Sequence, residues 1–260
     1  MPPVETRLRV TLIRAGVVCL LLLAMSACGP AEPPAEPPAE QPVAEPAPAG
    51  PLPRGVRPHA YRLDLLVDPR REGLSGSVEI DIQLDEAATG IWLHGEGLDV
   101  TTAHAVPSGG KRVAATYAES SVSGVARVDF SEDLPPGSFT LHLDYGAAFN
   151  RNLAGLFKVE EQGEAYVLAK SESIQARKFL PGFDEPGLKA TFDLKLTVPA
   201  GYAVIANSPE SDRRPAGDSM ETVTFATTRP MPTYLLSLAV GPFDTVEGLP
   251  IPPNLSLIHI

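Results

Sequence analysis

The chain has 260 residues, of which 43% are hydrophobic and only 6% aromatic, and its formal net charge is -11. This length allows a tail and one or two domains of ordinary size. Nucleic-acid binding is disfavoured, because acidic residues outnumber basic ones by 32 to 21 and no run of Lys and Arg stands out. Both cysteines, Cys19 and Cys28, lie near the N-terminus, so the rest of the chain has neither a disulfide framework nor a thiolate metal site.

The chain begins with the pattern of a secretory signal, which we predict over residues 1–27. Three arginines precede an apolar run at 15–25, which is shorter than the roughly 20 apolar residues of a membrane span. Residues 25–28 resemble a bacterial lipobox, in which Cys28 would be lipidated. The expected location is therefore the bacterial cell envelope, periplasmic or at the outer membrane, with a lipid anchor at Cys28. Plain secretion is the alternative.

A spacer rich in Pro, Ala and Glu is predicted at residues 28–53. It contains ten of the 28 prolines and has no large apolar residue before Leu52. Proline fixes the backbone and removes hydrogen-bond donors, so such a segment stays extended and semi-rigid, without a packed core. A tether that lifts a domain off a membrane fits this composition, and so does a disordered linker without a particular task.

The region at residues 54–244 is predicted to be an all-β domain. Apolar residues alternate with polar ones in four runs, which are found at 61–67, 78–84, 139–145 and 192–198. Side chains alternate between the two faces of a strand, so each run would turn one apolar face inward. Turn signals rich in Gly and Pro separate the runs, which favours antiparallel sheets in a sandwich or saddle-like arrangement.

One segment identifies a family. Residues 176–190 read ARKFLPGFDEPGLKA and resemble the N-terminal domain of the aminopeptidase N family of zinc exopeptidases. Other segments follow in the family's order, including IWLHGEGLDV and AGLFKV before the motif and VIANSP and MPTYLLSLAVGPF after it, so the resemblance runs from about residue 57 to 243. The matching motif positions are Arg177, Pro181, Asp184, Glu185, Pro186 and Lys189.

The motif itself is predicted to form a corner in the backbone. Pro181 and Pro186 bracket it, and a regular strand does not continue through such a pair. Asp184 and Glu185 are expected to accept backbone N–H groups or to pair with nearby cations. We therefore interpret the acidic pair as structural, with a catalytic role as the alternative. The family usually has Cys where this chain has Gly182, a difference expected to cost packing rather than function.

The resemblance implies that Glu172 binds substrate. It falls where the family places a Gln or Glu beside the pocket for the substrate's first residue. A carboxylate there would hold the free α-ammonium group of a peptide through a charge-assisted hydrogen bond. The alternative is an ordinary solvated glutamate, and Lys170, which stands where the family often has Gln, would repel an amine.

The catalytic motifs of the family are absent from this sequence. Zinc in the family is held by an H-E-x-x-H helix and a further Glu, and a G-A-M-E-N loop binds the substrate amine. None of the five histidines begins such a motif; they are His59, His94, His104, His142 and His259. The prediction for this chain is therefore no catalytic residue and no metal ligand, with zinc bound elsewhere in a full-length parent.

Two explanations remain open for this absence. In the first, residues 245–260 are a truncated end that leads into a missing catalytic domain or carries foreign sequence, and the parent cleaves peptides. In the second, the chain is a stand-alone, non-catalytic envelope lipoprotein that binds a peptide or another partner. A carbohydrate-binding module is poorly supported, because the single tryptophan, Trp92, lies in a strand-like run rather than at an exposed site.

Overall fold

The computed structural model describes residues 46–122, 124–217 and 219–245. The predicted signal peptide, Cys28, most of the spacer, His259 and the predicted chain end from 246 onward lie outside the described residues. Within the described ranges, no helix is long and apolar enough to cross a membrane.

The all-β prediction is confirmed, because the described residues form strands joined by turns and two short 3₁₀ helices. The 3₁₀ helices are Ala176–Lys178 and Thr233–Leu235. The strands are β1 (Val56–Leu66), β2 (Gly73–Leu84), β3 (Ala88–His94), β4 (Leu98–Pro107), β5 (Val113–Glu119), β6 (Val125–Leu134), β7 (Gly137–Ala148), β8 (Gly155–Glu161), β9 (Glu164–Lys170), β10 (Thr191–Pro199), β11 (Ala203–Ala206), β12 (Glu210–Pro215), β13 (Met220–Phe225) and β14 (Leu238–Gly241).

The larger sheet has ten strands in the order β12-β13-β10-β1-β2-β7-β4-β5-β6-β3. Its central strands β10, β1, β2 and β7 are the four runs with a period of two, and the apolar residue of each alternating pair is buried. Neighbouring strands are antiparallel except β1 and β10, which are parallel and pair Tyr61 with Phe192. The two rings stack with centroids 4.8 Å apart.

The smaller sheet has four antiparallel strands in the order β11-β14-β9-β8. One of its faces joins the hydrophobic core that the larger sheet also builds, through residues such as Val167 and Val240. The first 3₁₀ helix follows β9, and the second precedes β14. Each 3₁₀ helix is therefore next to a strand of the smaller sheet in the chain order.

The folded region begins before the predicted boundary at residue 54. Leu52, assigned from the sequence to the spacer, is only 7% exposed and belongs to the core. Its backbone N–H donates to the Glu185 carboxylate at 2.6 Å. The sequence did not predict the burial of Leu52, because one apolar side chain in a polar, proline-rich stretch gives no periodic signal.

Candidate functional site

Asp184 is the centre of a buried polar cluster. Its carboxylate is 3% exposed and accepts three hydrogen bonds. Arg177 gives two of them, from Nε at 3.1 Å and from its backbone N–H at 3.3 Å, and the Thr233 hydroxyl gives the third at 2.6 Å. The Arg177 guanidinium also donates to the Asp184 carbonyl at 3.2 Å. Buried charges are tolerated when they are paired and hydrogen-bonded in this way.

His94 supports the cluster from β3, and it does so in its neutral form. The Asp184 N–H donates to His94 Nδ1 at 3.1 Å, so that nitrogen carries no proton. Burial, together with the nearby Arg177 charge, lowers the pKa of His94 to about 4. Backbone hydrogen bonds in both directions between His94 and Gly182, at 2.7 and 2.9 Å, fix the corner against the end of β3.

Tyr61 explains the glycine at position 182. A Cβ at Gly182 would lie 2.9 Å from Cε1 of the Tyr61 ring, closer than side chains pack. The Tyr61 hydroxyl accepts the N–H of Phe183 at 2.9 Å, and burial raises the pKa of this phenol above its ordinary value. Glycine at position 182 therefore leaves free the space that the Tyr61 ring occupies.

Pro186 and Lys189 lie at the surface end of the corner. The Leu188 N–H donates to the Glu185 carbonyl at 3.0 Å, which closes a turn with Pro186 at its second position, where proline is favoured. Pro181 is buried, whereas Pro186 and Lys189 are exposed. The cation that pairs with Asp184 is Arg177, and among the described residues Lys189 makes no ion pair.

Glu172 is exposed in the turn between β9 and the first 3₁₀ helix. This turn is held at both ends. Before Glu172, the buried Ser171 hydroxyl donates to the Leu236 carbonyl at 3.0 Å; after it, Arg177 bonds to Asp184. Within the described part of the chain, the Glu172 carboxylate has no hydrogen bond or ion pair and is open to solvent. The structure does not bring Glu172 into the Asp184 cluster.

The other histidines are scattered among the strands. His104 and His142 stack on the larger sheet with centroids 4.4 Å apart, and His142 Nδ1 lies 3.3 Å from a Glu79 carboxylate oxygen. His59 is exposed on β1. Among the described residues, no three His, Cys, Asp or Glu side chains are grouped so that they could hold a metal ion.

Sequence reasoning missed three partners of the acidic motif: Tyr61, His94 and Thr233. They are distant in sequence, since His94 lies 90 residues and Thr233 49 residues from Asp184. A signal for His94 did exist, because it ends a run of three buried apolar residues in β3, and a polar residue at such a position needs a buried partner.

Residues 57–235 match the family model for the peptidase M1 N-terminal domain. The chain belongs to this family. It is 31% identical over 205 residues to aminopeptidase N of Acetobacter pasteurianus, and 30% identical over 210 residues to glutamyl aminopeptidase of Homo sapiens. Aminopeptidase M1-D of Oryza sativa subsp. japonica is 29% identical over 202 residues.

These alignments cover 77%, 76% and 76% of this chain, but 57%, 22% and 23% of the respective relatives. The sequence thus spans only part of the length of the aminopeptidases it resembles. The M1 N-terminal domain identified here includes the Asp184 cluster, the Glu172 turn and both sheets as far as the second 3₁₀ helix.

Proposed function

We propose that this chain is the N-terminal part of a zinc aminopeptidase that releases single residues from the N-termini of peptides. The observation that carries the proposal is the M1 match over residues 57–235, together with relatives whose names are aminopeptidases. The described residues do not fit a zinc ion, so the metal and the residues that activate water would belong to a catalytic domain outside this chain.

The role proposed for this domain is to cover the catalytic domain and to present Glu172 to the substrate amine. Support comes from the geometry of the turn, because Glu172 is exposed and unpaired among the described residues while both of its flanks are anchored in the buried structure. A carboxylate held on such a turn meets an ammonium group without first breaking another ion pair.

The decisive experiment is to read the gene onward from the codon for Pro253. An open frame that encodes G-A-M-E-N followed by H-E-x-x-H supports the proposal. A genuine stop codon after Ile260 would instead favour a stand-alone envelope module, and the proposal of an enzyme would fail.

The proposed role of Glu172 has a separate test in the full-length parent. E172A, which removes the acceptor altogether, should lower kcat/KM for an aminoacyl-anilide by about tenfold or more, because a hydrogen bond to a charged group contributes about 1.5–3 kcal/mol. E164A, at an exposed position in β9, is the matched control and should leave kcat/KM unchanged. Equal values for E172A and the unmodified enzyme would contradict the assignment.

The proposed location is the bacterial cell envelope, with a lipid on Cys28 as the anchor. Two lines of sequence support it: the lipobox-like residues 25–28 and the proline-rich spacer that follows. C28S should move the protein from the membrane fraction to the soluble fraction, whereas C19S should leave it membrane-bound. A C28S protein that stays in the membrane fraction would rule out this anchor.

A further inference from the structure

Strand β3 leaves one edge of the larger sheet open. It is the last strand in the order of this sheet, and within the described chain it pairs with β6 only. At its C-terminal end, the His94 N–H and carbonyl turn away from β6 and bond to Gly182. Alternate residues of a strand point their backbone groups to the same edge, so those of Trp92 and Gly90 also point away from β6. Among the described residues, these groups have no hydrogen-bond partner.

A cleft of about 440 Å³ lies along this open edge. It is lined by residues 53–56, which lead into β1, by residues 84–88, which join β2 to β3, and by residues 90–92 of β3 together with Arg127. We call this cavity the β3 cleft. Its volume falls within the range of about 300–1,000 Å³ that is typical of ligand sites. The Asp184 cluster and the Glu172 turn do not line it.

Trp92 carries a further donor without a partner. The residue is only 7% exposed, and in the described part of the chain its buried indole N–H makes no hydrogen bond. The Arg127 guanidinium lies over the ring, 4.9 Å from its centroid, and covers one face. Buried N–H groups in folded proteins nearly always have a partner. The unpaired donors of Trp92 therefore indicate a ligand that supplies acceptors.

The free backbone groups specify the chemical class of this ligand. An open strand edge offers both donors and acceptors, and an extended peptide presents matching groups at the same spacing. Because a strand rises about 3.3 Å per residue, the edge from Gly90 to Trp92 matches a peptide of about three residues. A proline-rich segment is a poor occupant, since proline has no N–H to donate.

Two side chains of opposite charge on the cleft walls are unpaired. Within the described ranges, neither the exposed Arg54 nor the exposed Glu86 forms a salt bridge, whereas Asp85 is paired with Arg57 at 2.6 Å. Arg54 belongs to the wall that leads into β1, and Glu86 to the wall between β2 and β3. A short free peptide has a carboxylate at one end and an ammonium group at the other, which these two side chains complement.

We propose that the β3 cleft binds a short free peptide of about three residues as an added strand on β3. The carboxylate of the peptide meets Arg54, and its ammonium group meets Glu86. One residue of the peptide exchanges backbone hydrogen bonds with Trp92, and its immediate neighbours point their backbone groups away from β3. Binding in this cleft requires neither a metal nor a catalytic group, so the proposal does not rest on the proposed function.

Nuclear magnetic resonance of the 260-residue chain, with isotope-labelled tryptophan, tests the proposal. Trp92 is the only tryptophan, so the spectrum reports the backbone and indole N–H groups of this residue alone. Titration with trialanine should shift both signals to saturation. R54A and E86A should each raise the dissociation constant about tenfold, because each removes a charge-assisted hydrogen bond. R112A and E164A change exposed charges outside the cleft and should leave the dissociation constant unchanged.

N-methylated forms of trialanine separate strand pairing from ionic binding alone. Only alternate residues of an added strand bond to β3, so methyl groups on the N–H of the second and of the third residue should have unequal effects. One of the two peptides should bind as trialanine does, and the other should bind about tenfold more weakly or less. Equal dissociation constants for the two methylated peptides would overturn the pairing with β3.

Three other results would also overturn the proposal. The first is the absence of any shift at millimolar trialanine. The second is an equal response to free alanine, which would show that the cleft binds a single charged group rather than an extended peptide. The third is equal affinity for trialanine with both ends blocked by acetyl and amide groups, which would contradict the roles of Arg54 and Glu86.

Discussion

The buried neutral His94 makes the stability of this domain depend on pH. In the folded chain its Nδ1 accepts the Asp184 N–H, and its pKa is about 4 compared with an ordinary value of 6.5. Between these two values the unfolded chain binds more protons than the folded chain. The contribution of His94 to stability is therefore fully present above pH 6.5, decreases as the pH falls, and levels off below pH 4.

The magnitude follows from the two pKa values. Integrating the linkage relation gives a loss of about 2 kcal/mol between pH 7.5 and pH 5, and of about 3 kcal/mol once His94 is fully protonated. For a domain of this size, a loss of 2 kcal/mol corresponds to a decrease of about 1 M in the urea midpoint.

Urea unfolding of the unmodified chain and of H94N at both pH values is the appropriate assay. The side-chain oxygen of Asn replaces Nδ1 as an acceptor and does not titrate, so the pH-dependent loss should largely disappear in H94N, whatever its stability at pH 7.5. H59N, which changes an exposed histidine, should keep the full loss. If H94N lost as much stability as the unmodified chain between pH 7.5 and 5, the reasoning about His94 would be refuted.

Three further predictions concern the corner and its anchor, and urea unfolding at neutral pH measures all of them. D184N keeps the shape of the side chain but leaves Arg177 buried without a counter-charge, so it should lower the free energy of unfolding by about 3–5 kcal/mol. T233V removes one hydrogen bond to a charge and should lower it by about 1.5–3 kcal/mol. Equal losses in the two variants would contradict the central position of the carboxylate. G182A forces a Cβ against Tyr61 and should cost about 1–3 kcal/mol, whereas G187A, with no atom within 4 Å of its added Cβ, should change little. L52A should lower the free energy of unfolding by about 2–5 kcal/mol, whereas P53A, at an exposed position, should change it little. An L52A protein as stable as the unmodified chain would contradict the placement of Leu52 in the core.

The larger sheet could be predicted from the sequence because its central strands are long and buried on one face only. Their apolar residues recur with a period of two over seven or more positions, and the structure buries those residues. The smaller sheet gave no such pattern. β11 and β14 have four residues each, and outward positions such as Ile205 are apolar too, so apolar and polar residues do not alternate there.

The contacts of the acidic motif could also be predicted only in part from the sequence. Its corner and an ion pair with a nearby cation followed from local rules, since proline breaks a strand and Arg177 lies seven residues from Asp184. The partners from β1, β3 and the second 3₁₀ helix did not, because their proximity is created by the sheet topology. The anchoring of Leu52 on Glu185 depends on a contact between residues 133 positions apart.

The carboxylates of Asp184 and Glu172 differ in whether they are accessible to a new partner, and this difference bears on which of them a substrate amine could reach. The Asp184 carboxylate is buried and already accepts three hydrogen bonds, so a substrate amine would have to displace Arg177 or Thr233 to reach it. The loss of such buried partners is unfavourable. Glu172 is exposed, and it lies on a turn whose flanks are held by Ser171 and by the Arg177–Asp184 pair. The buried acid therefore fixes the geometry of the corner, whereas the exposed acid has no partner among the described residues.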